Sequence, residues 1–132
     1  MKHIERSLED ARNLVSKAVA YYKTQGKQIS LAEFTNPKGL FSEGEMYIFV
    51  LTVDGIVLAH GADEKHIGRN FIEISDSRGN RYFQEVIEIA NSEGSGIVEY
   101  WWINPSTQHT EPKNLYFEKV DDIIICSGVY LS

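Results

Sequence analysis

Three polar residues, His60, Lys113 and Tyr116, lie at the ends of predicted β-strands that are rich in aromatic side chains. An ammonium group is costly to bury without a partner, so a lysine among aromatic rings indicates a site for a small anion. A buried tyrosine likewise needs a partner for its hydroxyl group. The sequence therefore predicts that these residues line a pocket for a small organic anion, with plain hydrophobic core as the alternative.

The aromatic residues follow the two-residue alternation of a β-strand, in which every second side chain points to the same face. One face of each of two predicted strands is apolar and largely aromatic: Tyr47, Phe49 and Leu51 on the first, and Val98, Tyr100 and Trp102 on the second. An aromatic sheet face beneath a covering segment is typical of either a hydrophobic core or a ligand pocket.

Catalytic and metal-binding constellations are not evident in the sequence. The histidines lie on different predicted elements, at positions 3, 60, 66 and 109. The acidic stretch Asp63–His66 is typical of a solvated loop. The single cysteine, Cys126, lies among isoleucines in a predicted strand, which favours a core position and excludes an internal disulfide or a thiolate cluster. We therefore expect no enzyme activity, no cofactor and no metal.

The composition is that of an ordinary globular chain, and we predict a single domain over residues 1–132. Of these residues 42% are hydrophobic and 24% are charged. The formal net charge of −6, with no run of Lys or Arg, argues against a nucleic-acid partner. No stretch approaches the roughly 18 apolar residues of a membrane span, and the N-terminus lacks a secretory signal. The sequence allows a cytoplasmic protein, or an exported one whose signal was removed.

The first third of the chain is predicted to be helical. Over residues 4–25, apolar side chains recur at spacings of three and four, and Gly26 ends the pattern. This stripe predicts packing against the protein's own sheet, although its heptad-like spacing also suits a homodimer through helix 1. A capping box at Ser30–Glu33 predicts the start of a short second helix that ends before Asn36.

The remainder of the chain is predicted to form five strands and one further helix. Asp54-Gly55 predicts a hairpin with a type I′ turn, in which both central residues have positive φ. Apolar residues at i, i+3, i+4 and i+7 predict a helix over about 81–92. The strands are predicted at 46–53, 56–60, 97–103, 114–120 and 123–131.

This order of elements predicts an α+β fold of the PAS-like plan. Hairpin-connected strands pair as neighbours, which gives a five-stranded, mainly antiparallel sheet with a long N-terminal helix. The connection between strands 2 and 3 contains the third helix and forms a lid over one sheet face. Such a lid leaves a natural cavity for a small molecule.

The chain resembles the single Cache domain, type 2, over almost its whole length. The motifs that carry the resemblance occur in this order: Asp10-Ala11, Tyr47–Val50, Asp54-Gly55, Leu58–His60, Ile67–Asn70, Gly94–Gly96, Tyr100–Trp102, Pro112-Lys113, Tyr116 and Gly128–Tyr130. The family comprises the extracytoplasmic sensor modules of chemoreceptors and sensor kinases, and also small stand-alone proteins.

The resemblance implies a non-catalytic sensor domain in signal transduction or chemotaxis, in the periplasm or otherwise outside the cytoplasm. It implies a short carboxylate ligand such as acetate, propionate, pyruvate or lactate. Carried over by position, the pocket residues are Phe49, His60, Arg69, Tyr100, Trp102, Lys113 and Tyr116. The alternative is a ligand-free protein-interaction or dimerisation module of roadblock- or profilin-like plan, which the helical stripe and the strand–helix order favour.

Overall fold

A computed structural model describes residues 7–75 and 79–131. Its helices are α1 (Leu8–Gln25), α2 (Lys27–Thr35) and α3 (Tyr82–Glu93). Its strands are β1 (Ser42–Glu43), β2 (Met46–Thr52), β3 (Val57–His60), β4 (Ser95–Ile103), β5 (Thr110–Val120) and β6 (Ile123–Tyr130). The predicted start of the first helix at residue 4 lies outside the described residues.

The strands form one antiparallel sheet in the order β3–β2–β6–β5–β4, and the short β1 also pairs with β2. The last strand therefore lies in the middle of the sheet, between β2 and β5. This arrangement confirms the predicted α+β architecture of PAS-like plan. The two-residue strand β1 was not predicted, because two residues carry no readable alternation.

The predicted capping box of the second helix is wrong. Helix α2 begins at Lys27, directly after Gly26, whose φ of 85° turns the chain between the two helices. Ser30 lies inside the helix, where its backbone N–H donates to the Gly26 carbonyl at 3.1 Å and its side chain is fully buried. One glycine is enough to end α1 and start α2, so the second helix needs no side-chain cap.

The connection from β2 to β3 is a hairpin, but the predicted type I′ turn is wrong. Only Gly55 of the Asp54-Gly55 pair has a positive φ, at 97°. The hydroxyl oxygen of Thr52 accepts hydrogen bonds from the backbone N–H groups of Asp54, at 3.2 Å, and Ile56, at 3.0 Å. The threonine side chain thus stabilises a longer loop in which glycine alone takes the left-handed conformation.

The two faces of the sheet bury separate apolar clusters. Helix α1 packs against β5 and β6 with its apolar stripe, which confirms the prediction of packing against the chain's own sheet. The cluster on this face includes Ala11, Leu14, Val15, Ala18, Ile48, Val50, Tyr116, Ile123 and Ile125. The buried residues of α1 are Ala11, Leu14, Val15 and Ala18. A homodimer through helix 1 remains a prediction.

The opposite face is covered by residues 61–75 and 79–94, which we call the lid. The lid contains two short 3₁₀ turns, Glu64–His66 and Phe71–Glu73, followed by α3. Its apolar residues pack on the aromatic side chains of the sheet, in a cluster that includes Tyr47, Phe49, Phe71, Phe83, Val86, Tyr100, Leu115, Phe117 and Cys126. Within the described residues, no helix is long and apolar enough to cross a membrane.

Candidate functional site

Lys113 lies at the centre of the lid-facing side of the sheet. It is paired in register with Tyr100 on β4 and with Tyr130 on β6, and only 1% of its surface is exposed. Its Nζ donates a hydrogen bond to the hydroxyl oxygen of Tyr47 at 3.0 Å. Strand alternation thus directs a long cationic side chain inward, where water cannot reach it.

Aromatic rings surround the Lys113 ammonium. Its distances to the ring centroids are 4.4 Å for Tyr47, 4.9 Å for Tyr130, 5.6 Å for Phe49 and 5.8 Å for Tyr100. The negative faces of these rings attract the cation but do not neutralise it. Among the described residues, no carboxylate lies within ion-pair distance of this ammonium.

The nearest acidic residue along the strand, Glu111, is engaged elsewhere. It lies two positions from Lys113, and its carboxylate accepts hydrogen bonds from Asn104 at 2.9 Å and from Thr107 at 2.6 Å. These bonds hold the carboxylate in the β4–β5 connection. Among the described residues, no carboxylate is therefore paired with the buried ammonium, which an anion could complement.

Gly128 on β6 makes room for the stem of this lysine. A Cβ at this position would lie 2.6 Å from Cε of Lys113 and 2.8 Å from the carbonyl oxygen of Asn114. Real Cβ atoms do not approach other atoms so closely. The absence of a side chain at Gly128 is what allows the ammonium to lie beneath the lid.

His60, the last residue of β3, supplies a second polar group on the same face. Its ring is 2% exposed and stacks on Phe49 with the ring centroids 5.6 Å apart. Nδ1 accepts hydrogen bonds from the backbone N–H groups of Ala62, at 3.2 Å, and Asp63, at 3.0 Å. The neutral ring therefore carries its proton on Nε2, which is a hydrogen-bond donor.

Burial keeps His60 neutral. The pKa of its imidazole is lowered from 6.5 to about 2, first by burial and then by the neighbouring His66 and Lys113. The unfolded state binds a proton below pH 6.5 that the folded state excludes, so stability is fully present at pH 7 and falls as the pH falls. A single histidine of this kind contributes a slope of about 1.4 kcal/mol per pH unit.

We therefore expect the free energy of unfolding to fall by about 2 kcal/mol between pH 7 and pH 5 because of His60. Urea unfolding at both pH values measures it, and His60→Asn removes this part of the pH dependence while keeping an acceptor near Nδ1. The exposed His109→Asn is the matched control and should keep the wild-type pH dependence. Equal pH dependence in wild type and His60→Asn would show that the buried ring does not act in this way.

A cleft opens beside this site, between the lid and the far end of β4 and β5. Its volume is about 390 Å³, and its walls are formed by His66, Ile74, Ser75, Tyr82, Trp101, Trp102, Ile103 and Thr110. His66 connects the cleft to the buried site, since its ring lies 4.7 Å from His60 and 5.6 Å from Trp102. Burial lowers the pKa of His66, against the opposing effect of Asp63.

The structure brings five of the predicted site residues to the lid-facing side of the sheet: Phe49, His60, Tyr100, Trp102 and Lys113. Arg69 does not join them, because it is exposed on the lid, where its guanidinium lies 3.4 Å from Nδ1 of His66. It borders the outer side of His66 rather than the buried ammonium.

The prediction that Tyr116 lies in the same pocket is wrong. Tyr116 belongs to the apolar cluster beneath α1, with Arg12 stacked 5.4 Å from its ring. Its hydroxyl donates to Glu118 at 2.9 Å. The reason is strand alternation: Tyr116 is three positions from Lys113 on the same strand, so the two side chains point to opposite faces.

Four residues of the site were not among the predicted site residues: Tyr47, His66, Gly128 and Tyr130. Alternation already placed Tyr47 on the aromatic face with Phe49, and the register of β6 with β5 places Tyr130 opposite Lys113. No sequence pattern indicates His66, since its position depends on how the irregular lid folds back.

Among the described residues, no group of three or more His, Cys, Asp or Glu side chains is placed to hold a metal ion.

Residues 15–132 match a family model described as a Cache domain. Among characterised proteins, the sensor histidine kinase MctS of Rhizobium johnstonii is 30% identical over 87 residues, which are 64% of this chain and 19% of the kinase. The chain thus spans about a fifth of the length of this relative.

Two solved structures share the fold. A methyl-accepting chemotaxis protein from Vibrio parahaemolyticus is 19% identical, with a TM-score of 0.80, over 92% of this chain and 86% of that chain. A Cache chemosensory domain described for carboxylic acid recognition is 22% identical, with a TM-score of 0.72, over 94% and 88% of the two chains. At these identities the likeness concerns the fold alone.

Proposed function

Because this chain belongs to the Cache domain family, a family of sensor domains, we propose that it binds a short-chain carboxylate without chemical turnover, in signal transduction or chemotaxis. The proposed contacts are Lys113, which supplies the positive charge, and His60, which donates from Nε2. Phe49, Tyr100 and Trp102 form the aromatic walls.

The observation that carries this proposal is the buried Lys113 ammonium, which is 1% exposed and has a neutral hydroxyl group as its hydrogen-bond partner. A carboxylate beside it would neutralise this charge and form a hydrogen bond in which both donor and acceptor are ionised. The Lys113 ammonium and the His60 ring share Tyr47 and Phe49 as neighbours, so both polar groups lie in the same aromatic cluster. The description of one structural neighbour in terms of carboxylic acid recognition supports the same class of ligand.

The size of the ligand limits the affinity. The best very small ligands gain at most about 1.5 kcal/mol per heavy atom, so an acid of four heavy atoms gains about 6 kcal/mol. This value corresponds to a dissociation constant of some tens of micromolar. An affinity in this range suits a sensor of metabolites in the surroundings of a cell.

We expect at least one of acetate, propionate, pyruvate and lactate to bind with a dissociation constant in the micromolar to low millimolar range. Isothermal titration calorimetry on the folded protein measures it, with acetamide and propanol as uncharged controls of matched size. Binding of the acids but not of the controls supports the proposal. The absence of heat from every acid, with protein that is folded by circular dichroism, contradicts it.

We further propose that the domain acts outside the cytoplasm.

We also propose that ligand binding is signalled through a homodimer that includes helix 1. A ligand shifts the equilibrium between monomer and dimer only by the difference between its affinities for the two states. The outer face of α1 is polar, so this contact would be weak and ligand-dependent. Sedimentation velocity at high micromolar concentration should show a dimer that the bound acid strengthens or weakens, and a monomer under both conditions contradicts it.

A further inference from the structure

The cleft beside Lys113 is larger than an acid of two to four carbon atoms requires. Its volume is about 390 Å³. A water molecule occupies about 30 Å³ in the liquid, so the cleft has room for roughly a dozen groups of that size. An acid of four to six heavy atoms, held by Lys113, leaves this volume unfilled.

The lining of the cleft is chemically distinct from the surroundings of Lys113. Among the described residues that line it, none is Asp, Glu, Lys or Arg, and most are aromatic or aliphatic: Ile74, Tyr82, Trp101, Trp102 and Ile103. The polar groups in the lining are His66, Ser75 and Thr110. Apolar walls with few polar groups are typical of a site for an apolar or aromatic part of a small molecule.

On two sides, a single aromatic ring separates the wall of the cleft from the ammonium. Tyr82 lines the cleft, its ring lies 4.6 Å from Tyr100, and the Tyr100 ring lies 5.8 Å from Nζ of Lys113. On the other side the carbonyl of Ile103 accepts a hydrogen bond from the Tyr130 hydroxyl at 2.8 Å. The Tyr130 ring lies 4.9 Å from the same Nζ. The Tyr100 and Tyr130 rings therefore lie between the cleft wall and the Lys113 ammonium.

We propose that the ligand is a carboxylate with an aryl-sized apolar group, with the carboxylate on Lys113 and the apolar group in the cleft. This inference rests on the proposed function and narrows its class of ligand. Because the Tyr100 ring lies between the cleft wall and the ammonium in this structure, binding has to move this ring aside. The lid and the β4–β5 end then enclose the apolar group, while the lysine neutralises the acid.

Calorimetry with matched ligands tests the inference. Burial of a phenyl group is expected to increase affinity by about ten- to a hundredfold, so 3-phenylpropionate should bind at least tenfold more tightly than propionate. The uncharged 3-phenylpropionamide should bind at least tenfold more weakly than the acid. Equal affinities for 3-phenylpropionate and propionate, both lost in Lys113→Met, overturn the inference and leave the proposed function standing. No binding of 3-phenylpropionate overturns the inference, and no binding of it or of any of the four short acids overturns both.

Two variants locate the apolar group. The double variant Ile74→Ala/Ile103→Ala should reduce the preference for 3-phenylpropionate over propionate by about three- to tenfold and leave the affinity for propionate unchanged. Ile97→Ala is the matched control on β4, because Ile97 is 50% exposed and does not line the cleft. An unchanged preference in the double variant, with folding verified by its melting temperature, overturns the placement of the apolar group in the cleft. Equal binding of the acid and its amide overturns the placement of the carboxylate on Lys113.

Discussion

Replacement of Lys113 with methionine is expected to abolish carboxylate binding and to raise the free energy of unfolding at the same time. The loss of binding follows because His60 is neutral and the remaining neighbours are uncharged, so the variant has no cation to pair with the acid. We expect the affinity to fall at least a hundredfold, in line with the loss of a buried charge-assisted interaction of about 3 kcal/mol.

The gain in stability follows from the same burial. Methionine fills nearly the same volume as the lysine stem and brings no charge into the aromatic cluster. Replacing buried charged groups with apolar ones of similar shape often raises the free energy of unfolding, here by about 1 to 3 kcal/mol. The buried ammonium thus lowers the free energy of unfolding but allows the site to bind an anion.

Urea unfolding and calorimetry of the same preparations measure both effects. Lys119→Met is the matched control, since Lys119 is on the same strand but exposed, and it should change stability by less than about 0.5 kcal/mol and leave the affinity unaltered. Unchanged affinity in Lys113→Met would remove this lysine from the site. If Lys113→Met were markedly less stable than wild type, the interactions of the ammonium in the native state would outweigh the cost of burying its charge.

The architecture was predictable because its signals are local and periodic. The apolar stripe of α1, the continuous apolar run of β2, the alternation in β4 and the spacing of apolar residues in α3 each appear within one element. The errors concern single residues whose conformation depends on neighbours distant in sequence. Gly26 rather than Ser30 sets the start of α2, and the Thr52 side chain rather than Asp54 sets the loop after β2.

Strand alternation is enough to predict which site residues share a face of the sheet. Alternation places Tyr100 and Trp102 on one face, and the same rule applied to β5 separates Tyr116 from Lys113. The position of His66 above His60 and Trp102 could not be predicted, since it depends on how the irregular lid packs. Likewise, the need for glycine at position 128 follows only from the structure, in which the Lys113 stem packs against Gly128.

Gly128→Ala is expected to displace the lysine, lower the free energy of unfolding by about 1 to 3 kcal/mol and weaken carboxylate binding at least tenfold. The added methyl group would lie 2.6 Å from Cε of Lys113 and 2.8 Å from the carbonyl oxygen of Asn114, so both have to move. The φ angle of Gly128 is not in the left-handed region, so alanine brings no backbone strain. The expected effect of Gly128→Ala is therefore steric.

A double-mutant cycle with Lys113→Ala separates the two contacts. Truncation of the lysine removes Cε and Cγ, which lie 2.6 Å and 3.1 Å from the added methyl group, but leaves the Asn114 carbonyl in place. Gly128→Ala should therefore cost about 1 kcal/mol less in the Lys113→Ala background than in wild type, measured by urea unfolding. Additive effects would show that the lysine stem yields freely to the methyl group. In that case the position of the ammonium does not depend on Gly128, and the aromatic rings alone hold it beneath the lid.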